Sequence, residues 1–108
     1  MNRSARNMAA MKYFFYKLVP PRPDFAFTMT SEESAMMGQH SRYWDEMIAK
    51  GNALALGPVA ATTGVFGIGI LQADSFDAAS SLVREDPAIK AQFGFTSELS
   101  PMLGLKKS

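Results

Sequence analysis

Short bursts of apolar residues alternate with longer stretches of helical periodicity along this chain. Lys12-Tyr13-Phe14-Phe15-Tyr16-Lys17-Leu18-Val19 is aromatic and β-branched, too short for a packed helix, and stopped by Pro20-Pro21, which predicts a first strand. The prolines of Pro20-Pro21-Arg22-Pro23-Asp24-Phe25 fix φ and cannot donate ladder bonds, so an extended loop follows. Thr30-Ser31-Glu32-Glu33 reads as a capping box. Met36, Met37, Tyr43, Trp44, Met47 and Ile48 then recur in steps of three and four, which defines one face of a helix ending at Lys50-Gly51.

Ala53 to Ala60 is an apolar strand whose Gly57-Pro58 predicts an edge position or a bulge. Ala61-Thr62-Thr63-Gly64 reads as a hairpin turn leading into a third strand, Val65 to Leu71. Asp74-Ser75 starts a second helix with Phe76, Ala79, Leu82 and Val83 on its apolar face. Asp86-Pro87 breaks it and opens one more turn through Ile89. Phe93 to Met102 is the last strand, interrupted at Pro101. The order β-α-β-β-α-β predicts an α+β, ferredoxin-like fold: a four-stranded antiparallel sheet with two helices on one face.

Two helices cover only one side of that sheet. Strand alternation sends Phe14, Tyr16 and Leu18 one way and Tyr13, Phe15 and Val19 the other, so an apolar face is left over and predicts an interface. In the third strand Phe66, Ile68 and Ile70 share one face. Gly67 and Gly69 on the other leave room for a partner sheet or a ligand. A homodimer with facing sheets is the expected assembly.

Length and composition narrow the function. At 108 residues and 47% hydrophobic, the chain suits one small core, read here as a domain over 11–105 behind a flexible tail at 1–10. Eleven Lys and Arg against ten Asp and Glu give a net charge of +1 and no basic stripe, which argues against nucleic acid and anionic membrane as partners. The absence of cysteine rules out disulfides and thiolate chemistry and fits a reducing, cytoplasmic setting. No apolar run approaches the roughly 20 residues that span a bilayer, and the basic start lacks the apolar stretch of a signal peptide. Walker, serine-elbow and zinc motifs are absent, and Gly64-Val65-Phe66-Gly67-Ile68-Gly69 is not a nucleotide loop. No cofactor and no metal are expected.

Four stretches carry a family resemblance: Leu18-Val19-Pro20-Pro21-Arg22-Pro23, His40-Ser41-Arg42-Tyr43-Trp44, Leu56-Gly57-Pro58-Val59, and Glu85-Asp86-Pro87-Ala88-Ile89-Lys90-Ala91. In order and spacing the chain resembles the YciI-like (YCII-related) family from about Lys12 to Met102. The resemblance implies a dimeric α+β barrel and a His–Asp pair at His40 and Asp86. It also implies relatives similar to muconolactone-type isomerases and to dehalogenases of aromatic breakdown. The first loop is longer and richer in proline than in the shortest family members.

The candidate residues each admit two readings. His40, the sole histidine, shares the apolar face of the first helix. It is either a satisfied core histidine or a general base for proton transfer near neutral pH. Asp86 before Pro87 sits where an N-cap belongs. It can also accept the His40 Nδ1 proton and leave Nε2 free. Tyr43 and Trp44 are core residues or the aromatic lining of a site. Arg22 is a solvated loop arginine or a bidentate carboxylate ligand. Gly57 and Pro58 complete the expected substrate-contacting set. Two functions stay open: cofactor-free proton transfer or elimination on a small organic acid or lactone, and a non-catalytic dimeric module binding a small molecule or a protein.

Overall fold

The computed structural model describes residues 11–108; the tail expected at 1–10 lies outside them. Strand β1 (Lys12–Val19) leads through the proline loop into a short helix, α1 (Phe25–Thr28), and then the long helix α2 (Ser31–Ala49). Strands β2 (Ala53–Ala61) and β3 (Gly64–Ala73) form a hairpin. Helices α3 (Phe76–Arg84) and α4 (Pro87–Lys90) follow, and β4 (Thr96–Pro101) closes the fold. The sheet order is β2-β3-β1-β4 with every pairing antiparallel. This is the ferredoxin-like α+β arrangement, an open four-stranded sheet with its helices packed over one core.

Local chemistry sets the element ends. Thr30 caps α2: its hydroxyl accepts from the Glu33 amide at 3.1 Å, and the Glu33 carboxylate accepts from the Thr30 amide at 2.9 Å. Gly51, at φ +82°, takes the left-handed conformation that ends the helix. Ser75 caps α3 and Asp86 caps α4, with Pro87 in the first turn. Pro58 is tolerated because β2 is an edge strand, and the strand also carries an irregularity between Ala53 and Ala55.

Two details depart from the sequence-based expectation. The proline loop is not extended throughout, since the residues after Asp24 turn into α1, with Phe25 buried and edge-on to Phe95 at 4.9 Å. The last strand begins only at Thr96, because Phe93 to Phe95 belong to the turn that precedes it.

Phe14, Tyr16 and Leu18 pack with Leu71 and Ala73 beneath Met36, Trp44 and Met47 of α2 and Ala79 and Val83 of α3. The pairings Tyr16↔Gly69 and Leu18↔Gly67 put both glycines on this helix-covered side, not on the open face that a partner sheet would meet. At Gly69 the space is taken: a Cβ there would stand 2.8 Å from the Leu56 side chain. Gly67 has room, and it floors a cleft. The opposite face presents Tyr13, Phe15 and Val19 beside Phe66, Ile68 and Ile70, all half-buried. Among the described residues no helix is long and apolar enough to cross a membrane.

Candidate active site

The polar centre of the fold is the Asp86 carboxylate, which is fully buried. Its position follows from local structure. Its Oδ1 caps α4 by accepting the Ala88 amide at 2.8 Å, so the carboxylate is held at the junction between α3 and α4, beneath α2. Three side chains then converge on it. His40 Nδ1 lies 2.8 Å from Oδ1, the Trp44 indole Nε1–H donates to Oδ2 at 2.7 Å, and the Tyr16 hydroxyl donates to Oδ2 at 2.9 Å. His40 and Trp44 share a face because they are four residues apart on α2. Tyr16 reaches up from the middle of β1. Its ring lies 5.4 Å from that of Trp44.

Four donors satisfy the carboxylate, as a buried charge requires. Burial disfavours its ionised form. The hydrogen bond and charge of His40, with the bonds from Trp44 and the Ala88 amide, outweigh that cost and hold Asp86 below its ordinary value. The same geometry acts on its neighbours. Burial, then the charge and hydrogen bond of Asp86, push the Tyr16 phenol far up, so it stays a donor. Tyr43 is pushed up to about 12 by burial and then by the Asp86 charge.

An ionised Asp86 fixes the imidazole. A neutral His40 facing it carries its proton on Nδ1, which leaves the lone pair on Nε2. Nε2 has no hydrogen-bond partner among the described residues. Because every fully buried side-chain nitrogen and oxygen of those residues has one, Nε2 is open to solvent. His40 borders a cleft of about 340 Å³ between α2 and the β2–β3 side of the sheet. Met37, Ser41, Trp44 and Asp45 line it from the helix; Tyr16, Leu56, Gly57, Pro58 and Gly67 line it from the strands.

Of the residues singled out from sequence, His40, Asp86, Trp44, Gly57 and Pro58 thus meet at one place. Tyr43 does not line this cleft. It points toward α3, donates to the Leu82 carbonyl at 2.6 Å, and buttresses Trp44 edge-on at 5.0 Å. Arg22 is also elsewhere. Its guanidinium is bidentate to Glu33 at 3.0 and 2.7 Å and also donates to the Thr28 hydroxyl and carbonyl at 2.9 and 2.7 Å. Four of its five N–H donors are thereby engaged in tying the proline loop to α2.

Tyr16 was not singled out from sequence as a site residue. A hydroxyl in the middle of the helix-covered set of β1 needed a buried acceptor, and that need was its signal. Among the described residues no three His, Asp or Glu side chains gather as a metal would require.

No curated protein matches the chain in sequence. The family model of the YCII-related domain matches residues 11–102, and this span contains the cleft, its histidine and the aspartate behind it. The chain belongs to the YCII-related domain family.

Proposed function

We propose that the cleft carries out cofactor-free proton transfer or elimination on a small organic acid or lactone, with His40 as general base and Asp86 as its orienting carboxylate. The observation that carries this reading is the free, solvent-open Nε2 of an imidazole whose other nitrogen is held by a buried carboxylate. Nε2 takes a proton from a carbon next to a carbonyl, and Asp86 balances the imidazolium that forms. In an isomerisation the proton returns to a different carbon. In an elimination the carbon–leaving-group bond breaks as the double bond forms, and the anion departs with its electron pair.

The reading is tested by incubating the protein in D2O with a panel of small lactones and halogenated or hydroxylated acids, followed by proton NMR. Loss of a C–H signal or release of halide is expected, and His40→Gln abolishes it. No exchange or elimination in any member would leave the second reading, a binding module. That reading is favoured by the structural duty Asp86 already performs as the α4 cap.

We also propose that the folding unit over 11–105 acts in the cytoplasm as a homodimer, the open face of one sheet meeting that of a second copy to form a barrel. Support comes from the apolar character of Phe15, Phe66, Ile68 and Ile70, which otherwise face water. Light scattering at micromolar concentration is expected to give twice the chain mass, reduced to one chain mass by Ile68→Lys. A wild-type monomer across that range contradicts the dimer.

A further inference from the structure

The cleft also carries information about the charge and shape of what it takes. Among the described residues, the one carboxylate lining it is that of Asp45, the Tyr16 phenol stays neutral, and no lysine or arginine lines it. The nearest charge behind His40 is the Asp86 carboxylate. Arg22, the natural partner for an anion, is held by Glu33 and Thr28. An anionic substrate placed against Nε2 would therefore lose hydration and face two carboxylates with no fixed cation among the described residues of the cleft to offset them.

The shape is equally one-sided. A predominantly apolar groove of about 160 Å³ adjoins the cleft, and the two share Met37, Pro58 and Gly67 as a common wall. Beyond that wall the groove is lined by Phe25, Ala26, Met29 and Phe95, and no polar side chain of the described residues enters it. The missing side chain at Gly67 keeps the passage open, since the nearest atom to a Cβ there would be 3.7 Å away, on Leu18. Small sites use apolar walls for affinity and a few polar groups for orientation, which is the division seen here.

Resting on the proton-transfer reading, we infer that the substrate is uncharged at the reacting end, a lactone or comparable neutral carbonyl compound, and carries an apolar ring or alkyl substituent that lies in the groove. The charge of the cleft works against a free carboxylate, and a compact polar substrate leaves the groove unfilled.

The experiment is a binding titration of the full chain, followed by amide, indole and methionine-methyl NMR. The probes are γ-phenyl-γ-butyrolactone, its ring-opened hydroxy acid, and unsubstituted γ-butyrolactone. The phenyl lactone is expected to bind at least tenfold more tightly than either of the others and to shift both the Trp44 indole and the Met29 methyl. Met29→Asp, at an exposed position, is expected to weaken the phenyl lactone alone, and Ala26→Asp at the same groove repeats the test should the first variant fold poorly. Equal or tighter binding of the hydroxy acid, shifts that spare the groove, or no binding of any probe at millimolar concentration overturns the inference. Because the readout is binding, a lactone preference without proton exchange sinks the catalytic reading and leaves this selectivity standing. Exchange on the free acid does the reverse.

Discussion

Two buried carboxylates organise polar clusters in this protein, and the contrast between them separates a fold device from a candidate site. Glu33 accepts from both terminal nitrogens of Arg22 and from the Thr30 amide, so its charge is matched by a permanent cation and its bonds join a loop to the start of α2. Asp86 accepts from Tyr16, Trp44, the Ala88 amide and His40. The first cluster closes on itself. The second ends in an imidazole whose far nitrogen has no partner among the described residues and opens on a cleft. A buried carboxylate becomes chemically useful when its cation is titratable and faces an accessible space.

The sharpest way to break this contrast is to remove Asp86. Asp86→Ala strands Tyr16, Trp44 and His40 donors in the core and deletes the α4 cap, so a loss of about 3–5 kcal/mol is expected in urea unfolding. Glu33→Ala leaves a guanidinium that is one-third exposed and can rehydrate, so a smaller loss is expected. Equal losses would mean that the two clusters do the same job.

Acid sharpens the contrast further. Hydrogen bonds from Arg22 and the Thr30 amide, set against burial, lower Glu33 from an ordinary 4.5 to about 2. Asp86 is lowered too, with burial opposing and its donors prevailing. For a carboxyl whose folded value is depressed, the stabilisation is complete above the unfolded value and is lost as pH falls through the folded one. The urea midpoint is expected to fall as pH drops from 4.5 toward 2, and Glu33→Gln flattens part of that slope. A slope unchanged in the variant would remove Glu33 from the account.

The smallest effect concerns the cap alone. Thr30→Ala removes one hydroxyl acceptor while leaving the Arg22–Glu33 pair in place, and about 0.5–2 kcal/mol is expected. Unchanged thermal and denaturant midpoints would mean that α2 does not depend on this cap.

The two clusters were also unequally legible in the sequence. Thr30 and Glu33 are three residues apart, so their cap could be read from spacing. The Arg22 partnership could not, because α1 turns the proline loop back onto α2 and no periodicity marks a helix of four residues. Asp86 was visible as a cap before proline, but its other partners lie 42, 46 and 70 positions away. The link to His40 came from family resemblance, and Tyr16 was hidden because strand alternation assigns a face without naming a partner for its hydroxyl. The glycines of β3 were correctly placed on one face of the sheet. Which face the helices cover follows from the packing of both helices and not from the strand.

The central claim is that Asp86 holds neutral His40 with its proton on Nδ1 and its lone pair on Nε2. Long-range proton–nitrogen NMR at alkaline pH reads this directly on the single histidine. The wild-type protein is expected to show a protonated Nδ1 and a bare Nε2. Asp86→Asn, whose amide can donate where the carboxylate could only accept, is expected to shift the ring toward the opposite tautomer. A wild-type histidine protonated on Nε2, or a tautomer indifferent to Asp86→Asn, would contradict the account.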